Sequence, residues 1–128
     1  MIYGIGTDLT HAARFELGLE RHGAGYAERL LSPQEMDDFR ASNAPGQFLA
    51  KRFAVKEAFA KAAGTGLRPP VTLRNLSLTH DDLGRPLLAF APALAQWLAA
   101  RGIVAHHVSL SDEGQHVLAC VVLERESR

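Results

Sequence analysis

The chain has 128 residues, 47% of them hydrophobic and 22% charged, with 14 basic and 14 acidic side chains and a formal net charge of zero. That length suits one domain spanning residues 1–128, with a small core of its own, and the composition excludes disordered and fibrous classes. The lack of a basic excess speaks against general nucleic-acid binding, and no apolar run is long enough to span a membrane.

The N-terminus lacks a charged-then-apolar leader pattern. The single cysteine, Cys120, sits in the apolar stretch Val117 to Val122 and reads as a small buried hydrophobe. One cysteine permits no internal disulfide, so a reducing cytoplasm is the natural setting.

Residues Met1 to Asp8 read as a strand whose Gly4 and Gly6 alternate, and so face the same side as Asp8. A helix is expected from about Thr10 to Arg21. Ser32, Pro33 and Glu35 form a complete helix-start signal: an N-cap, a proline at the first helical position and a closing capping-box carboxylate. Leu31 and Met36 are spaced as a hydrophobic staple around it. The longest helix runs from near Pro45 to Ala63 and stops at Gly64, with Pro69-Pro70 beyond. Val71 to Leu78 and Pro86 to Phe90 read as strands joined by a turn at Asp81 to Arg85. Pro92 opens a further helix that Gly102 closes. Strands at His106 to Ser111 and His116 to Glu124 form a C-terminal hairpin, and the second is apolar on both faces, which makes it a central strand. The fold class is α+β, a mainly antiparallel sheet packed against the long central helix.

That helix carries the chemistry-bearing anomaly. Its apolar residues Phe48, Leu49, Phe53, Val55 and Phe59 surround the axis, which marks a mostly buried helix. Yet it also holds Lys51, Arg52, Lys56, Glu57 and Lys61. Glu57 and Lys61 are four apart and share a face; Arg52 and Lys56 share another. Two readings stand: solvated ion pairs of little energetic value, or a half-buried carboxylate among cations that holds a metal and phosphates. Asp8 is a second candidate carboxylate, although an Asp at a strand end also serves as the N-cap of the next helix. Asp8 and Glu57 together would offer the hard oxygens that magnesium takes, completed by water and substrate phosphate.

Gly64-Thr65-Gly66 reads either as a helix C-cap followed by a turn or as backbone N–H groups cradling a phosphate. In His107-Val108-Ser109-Leu110-Ser111, alternation puts Val108 and Leu110 toward the core and His107, Ser109 and Ser111 on the other face. His107 is there either as part of an ordinary polar face or as a phosphate donor or proton carrier. Arg14 and Arg21, seven apart with Gly18 between, share one helix face, which is either plain solvated surface or a docking surface that the glycine lets a partner approach.

Taken together, Gly4-Ile5-Gly6-Thr7-Asp8 with Arg14-Phe15-Glu16, the stretch Phe48 to Ala62, Gly64-Thr65-Gly66, Gly84-Arg85-Pro86 and His107 to Asp112 resemble the motifs of the holo-acyl-carrier-protein synthases, in order and over almost the whole chain. Where such proteins often have an acidic residue and an isoleucine, this chain has His11 and Ala12. The resemblance implies a phosphopantetheinyl transferase, in which a serine hydroxyl of an acidic helical acyl carrier protein attacks the β-phosphate of coenzyme A and 3′,5′-ADP leaves. It implies Asp8 and Glu57 as Mg²⁺ ligands and, with Lys61, as the catalytic residues. Arg52, Lys61 and His107 would lie near the coenzyme A phosphates, with Gly64, Thr65, Gly66, Gly84, Arg85 and Pro86 along the nucleotide. Arg14 and Arg21 would face the carrier. The serine proton would pass to Glu57 or to a metal-bound water. The resemblance further implies a homotrimer with active sites between subunits. Two rival readings are a catalytically silent coenzyme A-binding module and a non-enzymatic interaction domain.

Overall fold

A computed structural model describes residues 1–127 of the chain. Three strands, β1 (Ile2–His11), β4 (Ile103–Glu113) and β5 (His116–Arg125), form an antiparallel sheet in the order β1-β5-β4. The strand that is apolar on both faces is therefore the central one, as its pattern requires. Its inward side chains Val117, Ala119, Val121 and Leu123 are fully buried.

The helix α4 (Pro45–Ala63) crosses the inner face of this sheet. Proline at its first turn and Gly64 in a left-handed conformation (φ 81°) bracket it as the sequence predicts. The hairpin of β2 (Leu76–His80) and β3 (Pro86–Phe90) makes a second, two-stranded sheet that packs Phe90 on Phe59 of α4, ring centroids 5.7 Å apart. On the other side α1 (Ala12–His22) sets Phe15 against Phe53 at 5.3 Å. Covered by the sheet, α1 and the hairpin, α4 has no single wet face. Its apolar residues therefore encircle it.

Four boundaries differ from the sequence reading. The first helix begins at Ala12, because β1 stays paired with β5 as far as His11 opposite His116. The strand expected from Val71 begins only at Leu76. Thr72 Oγ1 accepts the Asn75 N–H at 3.2 Å and Asn75 Nδ2 donates to the Pro70 carbonyl at 2.9 Å, so local side-chain bonds replace ladder bonds there. The Ser32 signal opens a 3₁₀ turn (Pro33–Glu35) that leads into α3 (Met36–Arg40), with both capping-box bonds formed and Leu31 and Met36 buried. β4 starts at Ile103, directly after Gly102, rather than at His106. Helix α2 (Ala24–Leu30) was not anticipated: its N-cap residue, Gly23, has no side chain to announce it. Helix α5 (Pro92–Ala100) is as expected. No helix among the described residues is long and apolar enough to cross a membrane.

The outer face of the three-stranded sheet carries no covering layer. Register places Ile5, Val122 and His107 in one row, Thr7, Cys120 and Ser109 in the next, and Leu9, Leu118 and Ser111 in a third. Ile5, Leu9 and Leu118 are 57%, 65% and 44% exposed. Cys120 belongs to this face and is only partly buried, so it is not the core hydrophobe its flanks suggested.

Helix α4 lies against β1 without a side chain between them. A Cβ at Gly6 would sit 1.9 Å from the Ala58 carbonyl oxygen, and one at Gly4 would sit 1.9 Å from that of Ala62. Gly6→Ala therefore must push the helix away, and a loss on the order of 3 kcal/mol is expected in urea unfolding. Gly25→Ala in α2, where an added Cβ meets nothing within 4 Å, should be neutral or stabilising.

Candidate active site

The close seating of α4 on Gly4 and Gly6 brings its residues 57 and 61 beside the far end of β1, where Asp8 points to the same inner face. Lys61 Nζ donates to the Thr7 carbonyl at 2.9 Å and to Asp8 Oδ1 at 3.4 Å. The Asp8 side chain is 16% exposed and that of Lys61 55%. Glu57 is half-buried and its carboxyl is pushed above the usual carboxylate range, by burial first and by the negative charge of Asp8 second, with Lys61 and Arg14 opposing. The Arg14 guanidinium rests over the rings of Phe53 (5.0 Å) and Phe15 (5.3 Å). Asp8, Glu57, Lys61 and Arg14 thus share one locality. Lys61 pairs with Asp8 across elements, not with Glu57 along its own helix.

A second locality lies by the opposite edge of the sheet. A cavity of about 360 Å³ is lined by Lys51, Arg52, His80, Gly84, Pro86 and Asp112, among others. Two bonds of 2.9 Å shape its turn, as Asp81 Oδ1 accepts the N–H groups of Leu83 and Arg85, and Gly84 takes φ 86°. Gln47 Nε2 donates to Asp112 Oδ2 at 3.0 Å, tying the start of α4 to the end of β4. Arg52 is buried, its guanidinium 3.7 Å from the centroid of Phe48. Partial burial, then the charges of Arg52 and Lys51, hold His80 below the ordinary histidine range, opposed by Asp38 and Asp81. Arg52 lies about 140° around the helix axis from Glu57 and about 180° from Lys61, so one chain keeps these two sets of residues apart.

Other expected site residues are placed differently. Gly64 N–H donates to the carbonyls of Ala60 and Lys61, and Gly66 N–H to that of Ala60, so these donors close the helix and are not free to cradle a phosphate. His107 lies on the outer sheet face, its Nε2 2.9 Å from Glu124 Oε2, and this contact lowers the Glu124 carboxyl below its ordinary range. Gly18 leaves no opening for a partner, because the Tyr26 ring fills the space a Cβ would need. Arg21 and Arg85 are exposed. The reading of Arg52 and Lys56 as a solvated pair also fails: both are buried, and Lys56 donates to Glu35. The sequence offers Glu35 only as a capping residue and gives His80 and Lys51 no site role; nothing local marks them, since their meeting depends on the 3₁₀ turn and the hairpin folding over α4.

Residues 4–121 match the family described as the 4′-phosphopantetheinyl transferase superfamily. The chain is 56% identical to a protein of Laribacter hongkongensis named holo-[acyl-carrier-protein] synthase, over 97% of this chain and 99% of that one. It superimposes on the crystal structure of holo-[acyl-carrier-protein] synthase from Neisseria meningitidis with a TM-score of 0.95 at 47% identity, over 98% and 100% of the two chains. A holo-(acyl-carrier-protein) synthase from Bacillus anthracis, solved in complex with CoA (3′,5′-ADP), is similar at a TM-score of 0.81 and 31% identity, over 98% of this chain and 99% of that one. With matches that run nearly end to end in both sequence and backbone, the chain belongs to the 4′-phosphopantetheinyl transferase superfamily.

Proposed function

We propose that this protein transfers the 4′-phosphopantetheine arm of coenzyme A to a serine of an apo-acyl carrier protein, with Mg²⁺ as cofactor. The observation that carries the reading is the meeting of Asp8 and Glu57 beside Lys61, at a point where burial and mutual repulsion already favour relief by a cation. Two carboxylates are enough for magnesium, which fills its remaining positions with water and phosphate. When bound there, the ion would supply Lewis-acid stabilisation of the pyrophosphate oxygens.

The serine oxygen forms a bond to the β-phosphorus, the bond from that phosphorus to the bridging oxygen breaks, and 3′,5′-ADP departs as the hydroxyl proton is given up to water. Charge gathers on the leaving diphosphate, and Lys61 is within reach to neutralise it. Arg52, with the turn at Gly84, Arg85 and Pro86, forms the phosphate and nucleotide side. Thr65 offers a hydroxyl at the helix end, whereas Gly64 and Gly66 serve by shaping the turn. The lone Cys120 fits a reducing, cytoplasmic setting.

The two localities lie by opposite edges of one sheet, so a complete site needs the cavity side of one copy against the Asp8 side of the next. Such head-to-tail contacts close into a ring, and the bare apolar face bearing Ile5, Leu9 and Leu118 supports burial against further copies. A homotrimer satisfies both demands. In that assembly His107 would serve the coenzyme A phosphates and Arg21 the acidic carrier.

Incubation of the protein with apo-carrier, coenzyme A and Mg²⁺ should make the carrier heavier by one phosphopantetheine group in mass spectrometry, and Asp8→Ala should abolish the gain; an unchanged carrier mass with the unmodified protein refutes the reading. Arg21→Glu should raise the carrier KM at least tenfold with coenzyme A KM unchanged. Arg14→Glu should in addition lower kcat, because that charge also acts on Glu57. Asp8→Ala and Arg52→Ala proteins, each inactive alone, should regain about a quarter of full activity after unfolding and co-refolding if sites form between copies. Continued inactivity of the mixture would rule out the shared site.

A further inference from the structure

We propose that Glu35 is a positioning residue for the phosphate side of the site, holding Arg52 in place from beneath while Lys56 neutralises it. The inference rests on the transfer function proposed above.

Glu35 sits in the 3₁₀ turn with a side chain 2% exposed. Its Oε1 accepts the Ser32 N–H at 2.9 Å and the Lys56 ammonium at 2.5 Å. Its Oε2 accepts the Leu78 N–H at 3.0 Å and lies 3.7 Å from Arg52 Nε. Lys56, wholly buried, spends its remaining donors on the carbonyls of Leu30 (3.0 Å) and Leu73 (2.8 Å). The lysine is therefore saturated and faces no cavity. Arg52 differs: Nε is buried with no hydrogen bond, one face of the guanidinium lies on Phe48, and the side chain lines the cavity that also holds Lys51 and His80.

One carboxylate thus serves two cations, and the buried cluster keeps a net charge of about +1. The nearest additional acid acting on Arg52 is exposed Asp38. An unbalanced buried charge is costly unless something pairs with it. The cavity is where a phosphate can do so. Glu35 and Phe48 restrict the guanidinium on two sides, so its free donors are presented to an anion without a further loss of rotamer freedom. The same carboxylate grips Leu78, the β2 residue that lines the cavity two positions before His80. Movement of Glu35 would displace both walls at once.

A purely structural role for Glu35, as counter-charge to Lys56, has to be separated from this one. Replacing both members of a buried pair is tolerated far better than removing one. The double substitution Glu35→Gln with Lys56→Met removes the need for a counter-charge while leaving Arg52 without its carboxylate. With apo-carrier and coenzyme A, that variant should melt a few degrees lower, because the Leu30 and Leu73 carbonyls lose their donor, while it raises the coenzyme A KM about tenfold and leaves kcat and the carrier KM within about twofold. In an Arg52→Ala background the same double substitution should cause little further loss of coenzyme A affinity, because the two changes act through one group. If the variant does not fold, Glu35→Asp keeps the charge beside Lys56 but withdraws the carboxylate by one methylene, and the same rise in coenzyme A KM is expected. A wild-type coenzyme A KM in whichever of these variants folds, or a loss that adds fully to that of Arg52→Ala, overturns the proposal. Failure of the transfer function itself would show separately, in the unmodified protein.

Discussion

The approach of α4 to β1 sets the geometry of everything else. Two positions on β1 lack side chains, and the carbonyls of Ala58 and Ala62 occupy the space that Cβ atoms would take. A helix seated this close to a strand brings acidic side chains from both near enough for the charge of Asp8 to act on Glu57. Burial at this seam, and then the negative charge of Asp8, raise the Glu57 carboxyl. The same glycines that look like a weakness in a strand are what allow the acidic pair to form.

Much of this was legible in the chain because the signals are local and carry distinct physics. The bounds of α4 follow from a proline that needs no N–H at its first turn and a glycine that accepts a left-handed conformation at its end. The central place of β5 follows from apolar residues on both its faces. What was illegible depends on contacts between distant segments. The spacing of Arg52 and Lys56 is that of a surface pair, and only the folding of the 3₁₀ turn against α4 reveals that Glu35 takes both. The sequence leaves Gly18 between solvated surface and docking point, and only Tyr26, from a helix without a readable cap, closes that space. Periodicity correctly grouped Glu57 with Lys61 and Arg52 with Lys56, but it could not say that Lys61 bonds to Asp8 instead.

Separation of the two localities by the full width of the sheet gives the bare outer face a meaning. An exposed sheet face with three large aliphatic side chains is unfavourable in an isolated small protein. Here the face lies between the edge strand that bears Asp8 and the edge strand beside the Arg52 cavity. In the proposed assembly, covering the face with further copies and completing the pocket would be one geometric act.

The lack of a polar stripe on α4 follows from the same division of labour. A helix with one wet face can present charge in one direction only. This one emits Glu57 and Lys61 on one flank and Arg52 on nearly the opposite flank, and it needs apolar neighbours on every remaining side to stay folded. Lys56 then lies where no solvent reaches, and a cation there requires a buried acid. Glu35 meets that need from a turn in which it also accepts the Ser32 N–H. Once such an acid exists there, it can hold the neighbouring arginine without a second buried acid. The structural demand of an enclosed helix and the chemical demand for a fixed guanidinium are thus met by one side chain.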